Sequence, residues 1–274
     1  MTYINSTLQS SGKGTSYVAK LWRYRSLCAN LVGSDLRARF RRSRLGIIWA
    51  IIQPLAFSIM IAIVWGALFQ QDSMTYAVYV FSGMIVWEFV SNTVMASQDA
   101  LINSDGYLKQ GRIPFLIFQL RAPLAGFVTF LAGLIGLLGL QAVLGGLPAF
   151  GPHYALVIPF SAILILFLIP IAIIFSILGT QFRDLRHAMM VLLNALFFMS
   201  PIMIAREYLE AERLQFLHYA NPMMPLLDLL RLPLLDGQMW QMQPLVVILA
   251  WTGGLWVLAL SISQAVGRKI IFAL

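Results

Sequence analysis

Polar and basic residues fill the first 44 positions, and a nearly unbroken apolar run begins at Leu45. A helix rises about 1.5 Å per residue and the hydrocarbon core of a bilayer is about 30 Å thick, so a spanning helix needs roughly 20 mostly apolar residues. That ruler selects six segments: 46–69, 76–96, 122–147, 154–180, 188–205 and 244–266. The fifth is short and is broken by Ser200-Pro201. The pattern predicts an all-α integral membrane protein with six transmembrane helices.

Three stretches between the spans carry further pattern. Residues 17–32 place Val18, Leu21, Trp22, Leu27, Cys28, Leu31 and Val32 at spacings of three and four, with Lys20, Arg23, Arg25 and Asn30 mostly elsewhere. This predicts an amphipathic helix lying in the membrane interface, its basic residues near anionic headgroups. The loop 97–115 mixes Leu101, Ile102, Tyr107 and Leu108 with polar residues, as a short surface helix does, and Pro114 ends it. Residues 200–243 are too broken for a span, being divided by Pro201, Pro222, Pro225 and Pro233, yet rich in Leu and Met. They predict one or two re-entrant or interfacial half-helices at the outer face. Irregular backbone at that depth persists only inside protein or along a water-filled cavity.

Composition confirms the setting. The chain of 274 residues is 59% hydrophobic and 11% charged, with a mean hydropathy of +0.80, against about 45–50% and 25% in soluble domains. A soluble enzyme, a disordered tail and a disulfide scaffold are excluded, the last also by the single cysteine, Cys28. His153, His187 and His218 are scattered without a second ligand at helical spacing, so no metal site is expected. The charged-then-apolar order of a secretory signal is absent at the start, and the N-terminus is expected to be retained.

The net charge of +8 resolves into sidedness. With six spans, both termini share one side with the loops around 97–121 and 181–187. Sixteen of the 19 Lys and Arg fall there, and only Arg206, Arg213 and Arg231 fall opposite. Positive charge marks the cytoplasmic side, so both termini are expected inside. Nucleic acid is not needed to explain the charge.

Catalytic machinery is missing from the pattern. Gly12-Lys13-Gly14-Thr15 lacks the first glycine and the Gly-Lys-Ser/Thr order of a phosphate-binding loop. No H-E-x-x-H, no G-x-S-x-G and no paired intramembrane carboxylates occur, so no catalytic, cofactor or metal residues are expected, and any work must draw energy from a partner. Glu88 is the one acid inside a span. It faces a conduit, pairs with a base such as Arg121, or sits nearer the interface. Aromatics crowd the first two spans and the fifth. Trp49, Gln53 and Met60 recur at helical spacing, as do Tyr79, Gly83 and Trp87, and Phe197 with Phe198 occupies the fifth span. Such faces suit interface belts, and equally an aromatic lining along which sugar rings slide.

The run from Asp35 to Leu55, DLRARFRRSRLGIIWAIIQPL, resembles the opening signature of ABC-2 type polysaccharide export permeases. The resemblance continues through Ser82-Gly83, Trp87, Leu101-Ile102-Asn103, Arg112-Ile113-Pro114, Phe182-Arg183-Asp184, Ser200-Pro201, and Asn221-Pro222 with Arg231. Ile113 replaces the family's usual phenylalanine. The O-antigen and capsule exporters are the nearest subgroup, and the teichoic-acid exporters are more distant. The resemblance implies one transmembrane domain over 1–274, with a cytoplasmic N-terminus (1–44), spans one to five (46–205), an outer re-entrant segment (206–243), span six (244–266) and a cytoplasmic tail (267–274). It implies a bacterial inner-membrane homodimer, embedded in membrane lipids, whose two permeases dock on two separate ATPase subunits that use ATP and Mg. The expected cargo is lipid-linked polysaccharide, O-antigen above all. A capsule or teichoic-acid polymer, a drug or a small lipid is the alternative, and a membrane glycosyltransferase or acyltransferase lacks the acid, base or metal it would need.

By the same resemblance the 17–32 helix and the 97–115 loop correspond to a gate helix and a coupling helix, which assigns ATPase coupling to Arg25, Asp105, Tyr107, Leu108 and Lys109. Spans one, two and five line the channel through Trp49, Gln53, Met60, Tyr79, Trp87, Phe197 and Phe198. Arg37, Arg39, Arg44, Gly46, Pro54, Arg183, Asp184 and Pro201 carry the structural motif.

Overall fold

A computed structural model describes residues 21–41, 43–69, 72–104, 106–107, 113–144, 151–182, 184–204 and 216–266. Every helix or strand element among them is helical. The α-helices are α1 (Arg25–Arg39), α2 (Trp49–Phe69), α3 (Ser73–Gln98), α4 (Phe115–Gln119), α5 (Arg121–Leu144), α6 (Val157–Gln181), α7 (Leu185–Phe198), α8 (Leu217–Ala220), α9 (Met223–Leu234) and α10 (Met242–Val266). Five helical stretches are long and apolar enough to cross a membrane: Gly46–Gly66, Ser73–Gln98, Phe115–Leu144, Pro152–Gln181 and Met242–Ala265. The expected fifth span is instead the 14-residue α7, about 21 Å long, followed by turns over 199–204. Pro201 lacks the N–H that would continue the helix, and the backbone unwinds there.

Among the five long helices α3 is the least apolar, yet 72% of its most apolar window is buried, against 22% in α2 and 11% in α10. Lipid accepts apolar side chains as readily as the protein interior does, so polar positions decide which helix turns inward. Ser82, Thr93, Ser97 and Gln98 of α3 are all buried. The Ser97 hydroxyl donates to the Thr93 carbonyl at 2.6 Å, keeping its bond within the helix. Helices α2, α5 and α6 surround α3, and α10 packs on α6.

Helix α9 has 12 residues, about 18 Å, too short to span. Ten of them are buried, and it packs on α3, α6 and α10. Its exposed carbonyl ends are satisfied by neighbours: Trp240 Nε1 donates to Leu229 O at 2.8 Å and Gln141 Nε2 to Leu234 O at 2.8 Å. This is the half-helix expected between the fifth and sixth spans. At the opposite end, α1 buries Cys28, Leu31 and Val32 against Ile117, Phe118 and Ile177. It continues to Arg39, past the expected end at residue 32, and gathers Arg37 and Arg39 in its last turn, where cations complement the helix dipole. Trp22, expected on the apolar stripe, is 69% exposed. Val18 lies outside the described residues.

Candidate functional site

The far end of the bundle, opposite α1, is organised around the unwound 199–204 segment. A broken helix leaves carbonyls without donors, and each must find one. Asn221 Nδ2 donates to Met199 O and to Ser200 Oγ, both at 3.0 Å. The Tyr79 hydroxyl reaches Pro201 O at 3.2 Å and Ile204 O at 3.4 Å. The Tyr76 hydroxyl donates to Met203 O. Arg231 of α9 supplies the centre. Its guanidinium donates to Pro201 O at 2.6 Å, Ile202 O at 3.4 Å, Tyr79 O at 3.1 Å and Ser82 Oγ at 3.0 Å. It also lies 3.6 Å over the centre of the Tyr79 ring, a favourable cation–π placement. Only 7% of Arg231 is exposed. Gly83 makes room, since a Cβ there would lie 2.9 Å from Arg231 Nη2 and 3.2 Å from Ile202 Cα. By helix rise this collar sits roughly 9–15 Å along α3 from its far end.

The expected channel residues divide into two groups. On α2, Trp49 (44% exposed), Gln53 and Met60 (56%) lie on the open side of the subunit. Trp49 Nε1 donates to Ser43 Oγ at 2.9 Å, six residues earlier in the chain. On α3 and α7, Trp87 is buried with its ring 5.4 Å from that of Phe197, which meets Phe198 edge-on at 5.5 Å. Phe198 is 67% exposed. Tyr79 is part of the collar. The structure thus brings Trp87, Phe197 and Phe198 into one aromatic row.

The α1 end is held by ion pairs. Arg121 at the start of α5 grips the Asp35 carboxylate with two nitrogens, Nε to Oδ2 at 2.8 Å, and its Nη1 lies 3.4 Å from Ser104 Oγ. Arg186 of α7 pairs with Asp99 at 2.7 Å. These four charged residues, with Arg39, Asn92 and Asn103, line a cleft of about 410 Å³. Glu88 lies one turn from Asn92, and Arg121 is committed to Asp35 rather than to it.

The remaining expected positions are placed as follows. Arg25 bonds to Trp22 O at 3.1 Å and lies 4.8 Å over the Trp22 ring. Tyr107 is exposed, its ring 6.0 Å from Phe118. Arg37 and Arg39 end α1, and Arg44 is exposed. Gly46 takes φ +53 at the start of the turn into α2, a conformation that favours glycine. Pro54 lies inside α2 and its carbonyl accepts the Ser58 hydroxyl at 2.7 Å. Asp184 begins α7, and Pro201 is held in the collar. Asp105, Leu108, Lys109 and Arg183 lie outside the described residues.

The sequence pattern of the ABC-2 type transporter family matches residues 27–235. This chain belongs to that family. It is 24% identical over 234 residues to the O-antigen export system permease protein RfbA of Myxococcus xanthus, covering 85% of this chain and 89% of the relative. A protein of the same description from Klebsiella pneumoniae is 24% identical over 194 residues, 70% and 74% of the two chains. The polysialic acid transport protein KpsM of Escherichia coli is 23% identical over 205 residues, 74% and 79%. These relatives are transport permeases, and members of the family work with ATPase subunits. The ABC-2 permease described here is accordingly a multi-pass inner-membrane protein related to polysaccharide exporters.

The collar is what reading the sequence for a channel left out. In the sequence Arg231 is one of three outer basic residues and follows Asn221-Pro222 in the family motif, and neither fact names its partners. The available signal was local: an arginine inside the apolar run MMPLLDLLRLPL is costly in a membrane and points to a specific partner. Its partners lie on α3 and after α7, about 30 and 150 positions away in the chain, where spacing says nothing.

Proposed function

We propose that this chain is the permease subunit of an ABC transporter that exports a lipid-linked polysaccharide, with O-antigen as the leading cargo. Two copies assemble with two ATPase subunits that supply the energy from ATP and Mg. The observation that carries this reading is the family match over most of the chain, joined to relatives named for O-antigen export. The geometry supports it. Trp49 and Met60 on α2, and Phe198 on α7, stand open among the exposed apolar residues of the subunit's surface. A second copy facing those helices would complete a conduit whose walls offer rings rather than charges.

In the six-span reading of the sequence sixteen of the 19 basic residues fall on the side of the termini, which supports a cytoplasmic placement of both. Helix α1 and the 97–115 loop would then meet the ATPase. A capsule-type cargo is the second reading, supported by the relatedness to the polysialic acid transport protein.

The test is genetic and biochemical together. Deleting the gene should leave the lipid A core undecorated, or polymer trapped in the cytoplasm. Wild-type protein should restore export. The Trp49→Ala, Phe198→Ala double variant should assemble yet export slowly. Normal surface glycan in the deletion strain would refute the function, and undiminished export by the double variant would refute the aromatic lining.

A further inference from the structure

Three unpaired donors from three elements converge on the cleft at the α1 end. Its two carboxylates are already taken: Arg121 grips Asp35 with two nitrogens, and Arg186 meets Asp99 at 2.7 Å. Arg39, at the end of α1, makes no hydrogen bond or ion pair among the described residues, and its guanidinium lies 5.9 Å from the neighbouring Phe40 ring. The side-chain amides of Asn92 on α3 and Asn103 in the 102–104 turn have no hydrogen-bond partner among the described residues either. All three side chains line the cleft. Three arginines there face two carboxylates, so one positive charge is left over, and Glu88, one turn from Asn92, does not line it. A spare planar guanidinium flanked by neutral donors suits the oxygens of a phosphate.

The remaining walls are apolar, formed by Leu36, Met95, Ala100, Ala122 and Ala125. A free ion gains nothing from such walls, whereas an amphiphile gains from both halves. The volume of about 410 Å³ lies within the roughly 300–1,000 Å³ of ligand pockets. Depth agrees with this. Helix α3 has 26 residues, about 39 Å, which exceeds a hydrocarbon core of about 30 Å by roughly 9 Å. Asn92 stands within two turns of its end at Gln98, and Asn103 lies beyond that end. The cleft therefore straddles the level at which lipid phosphates lie.

We propose that this cleft binds the phosphate headgroup of a membrane phospholipid, with Arg39 receiving its charge and Asn92 and Asn103 donating to its oxygens. A lipid seated there joins α1, α3 and the 102–104 turn. The site needs the bilayer that the spans require, and neither the cargo nor the ATPase. Any exposed arginine on α1 attracts anionic headgroups diffusely. A site distinguishes between two of them: Arg37 and Arg39 both stand in the last turn of α1, and only Arg39 lines the cleft.

The full-length permease, stripped of lipid in detergent, is titrated with dioleoylphosphatidylglycerol, and bound lipid is counted by native mass spectrometry. The wild type should retain one tightly bound lipid per chain. Arg39→Gln should weaken that binding about tenfold, as loss of a hydrogen bond to a charged group does, and Asn103→Ala several-fold. Arg37→Gln removes the same charge outside the cleft and should change binding by less than about twofold. Dioleoylglycerol, which lacks the phosphate, should not be retained, and inorganic phosphate at the same concentration should not displace the lipid. Without lipid, the thermal midpoints of the wild type and Arg39→Gln should coincide, and with lipid the wild-type midpoint should rise further. Equal losses in Arg37→Gln and Arg39→Gln would overturn the proposal in favour of diffuse attraction to a basic helix. Retention of dioleoylglycerol would overturn it too, as would displacement by inorganic phosphate, which would make the cleft an anion site indifferent to lipid. If Arg39→Gln is not recovered, Asn103→Ala on its exposed turn carries the comparison, and undiminished binding in that variant would refute the site.

Discussion

Replacing Arg231 by methionine keeps an unbranched apolar stem and removes every donor that Arg231 brings to the collar. Two of the four acceptors retain another partner. Pro201 O still receives the Tyr79 hydroxyl at 3.2 Å, and Tyr79 O still receives the Ser82 hydroxyl at 2.6 Å. The loss therefore falls on Ile202 O, on Ser82 Oγ, whose hydroxyl keeps its own bond to Tyr79 O, and on the charged share of the 2.6 Å bond to Pro201 O. A hydrogen bond to a charged group contributes about 1.5–3 kcal/mol. Part of that is offset because a buried guanidinium no longer has to be desolvated. The net cost is about 3 kcal/mol, which at about 2–4 °C per kcal/mol corresponds to roughly 6–12 °C in the thermal midpoint. Lysine at the same site keeps the charge but offers a compact ammonium instead of a planar fork, so it should lose about half as much. Thermal unfolding of the purified permease gives the magnitude, and hydrogen exchange of the 199–204 amides gives the location. An unchanged midpoint and unchanged exchange in the methionine variant would show that the collar carbonyls do not depend on Arg231.

Three further outcomes follow from single positions. Gly83→Ala should lower the thermal midpoint, because its Cβ would meet Arg231 Nη2 and the Ile202 backbone; a cost of about 1–3 kcal/mol is expected for such overpacking, and a neutral variant would refute the close approach. Asp72 caps α3, and the Thr75 N–H bonded to its carboxylate holds its pKa below the usual 3.8. A depressed carboxylate stabilises the fold above its unfolded pKa and stops doing so as the pH falls through the folded value, so the protection of the Thr75 and Tyr76 amides, measured relative to the unstructured exchange rate at the same pH, should fall on acidification below about 4 in the wild type and not in Asp72→Asn. Burial pushes the Cys28 thiol pKa up, so alkylation by a maleimide should be slow in the folded protein and fast after unfolding; rapid labelling of the native protein would place Cys28 outside the α1 contact with Ile117 and Phe118.

Much of the architecture was legible because a bilayer imposes a length on every spanning helix. The apolar runs that became α2, α5, α6 and α10 stand out by that measure, and the break at Ser200-Pro201 falls where α7 ends. Burial was not legible from hydropathy. Helix α3 is the least apolar of the long helices and the most enclosed, since a span with Ser82, Thr93, Ser97 and Gln98 hides them by turning inward. The extent of α1 was missed for a related reason. Its last two turns carry Asp35, Arg37 and Arg39, which read as a charge cluster, and only the Arg121 partner across the bundle explains Asp35 as part of a folded contact.

The scarcity of charge takes on a different meaning once the partners are known. At the α1 end, Arg186 meets Asp99 across a water-accessible contact, with side chains 56% and 39% exposed, while Arg121 and Asp35 form a more enclosed pair at 17% and 35%. Salt and mechanical load can separate the exposed pair without stranding either ion, because water takes up both. At the far end, Arg231 is satisfied by carbonyls, a hydroxyl and a ring, none of which carries a charge into water as a replacement partner. Pulling Arg231 out would leave a cation and a broken helix end unpaired in an apolar setting. The same residue type is therefore arranged for release at one end of the bundle and for permanence at the other. What sets the difference is burial and the charge of the acceptor, neither of which a count of 19 basic residues contains.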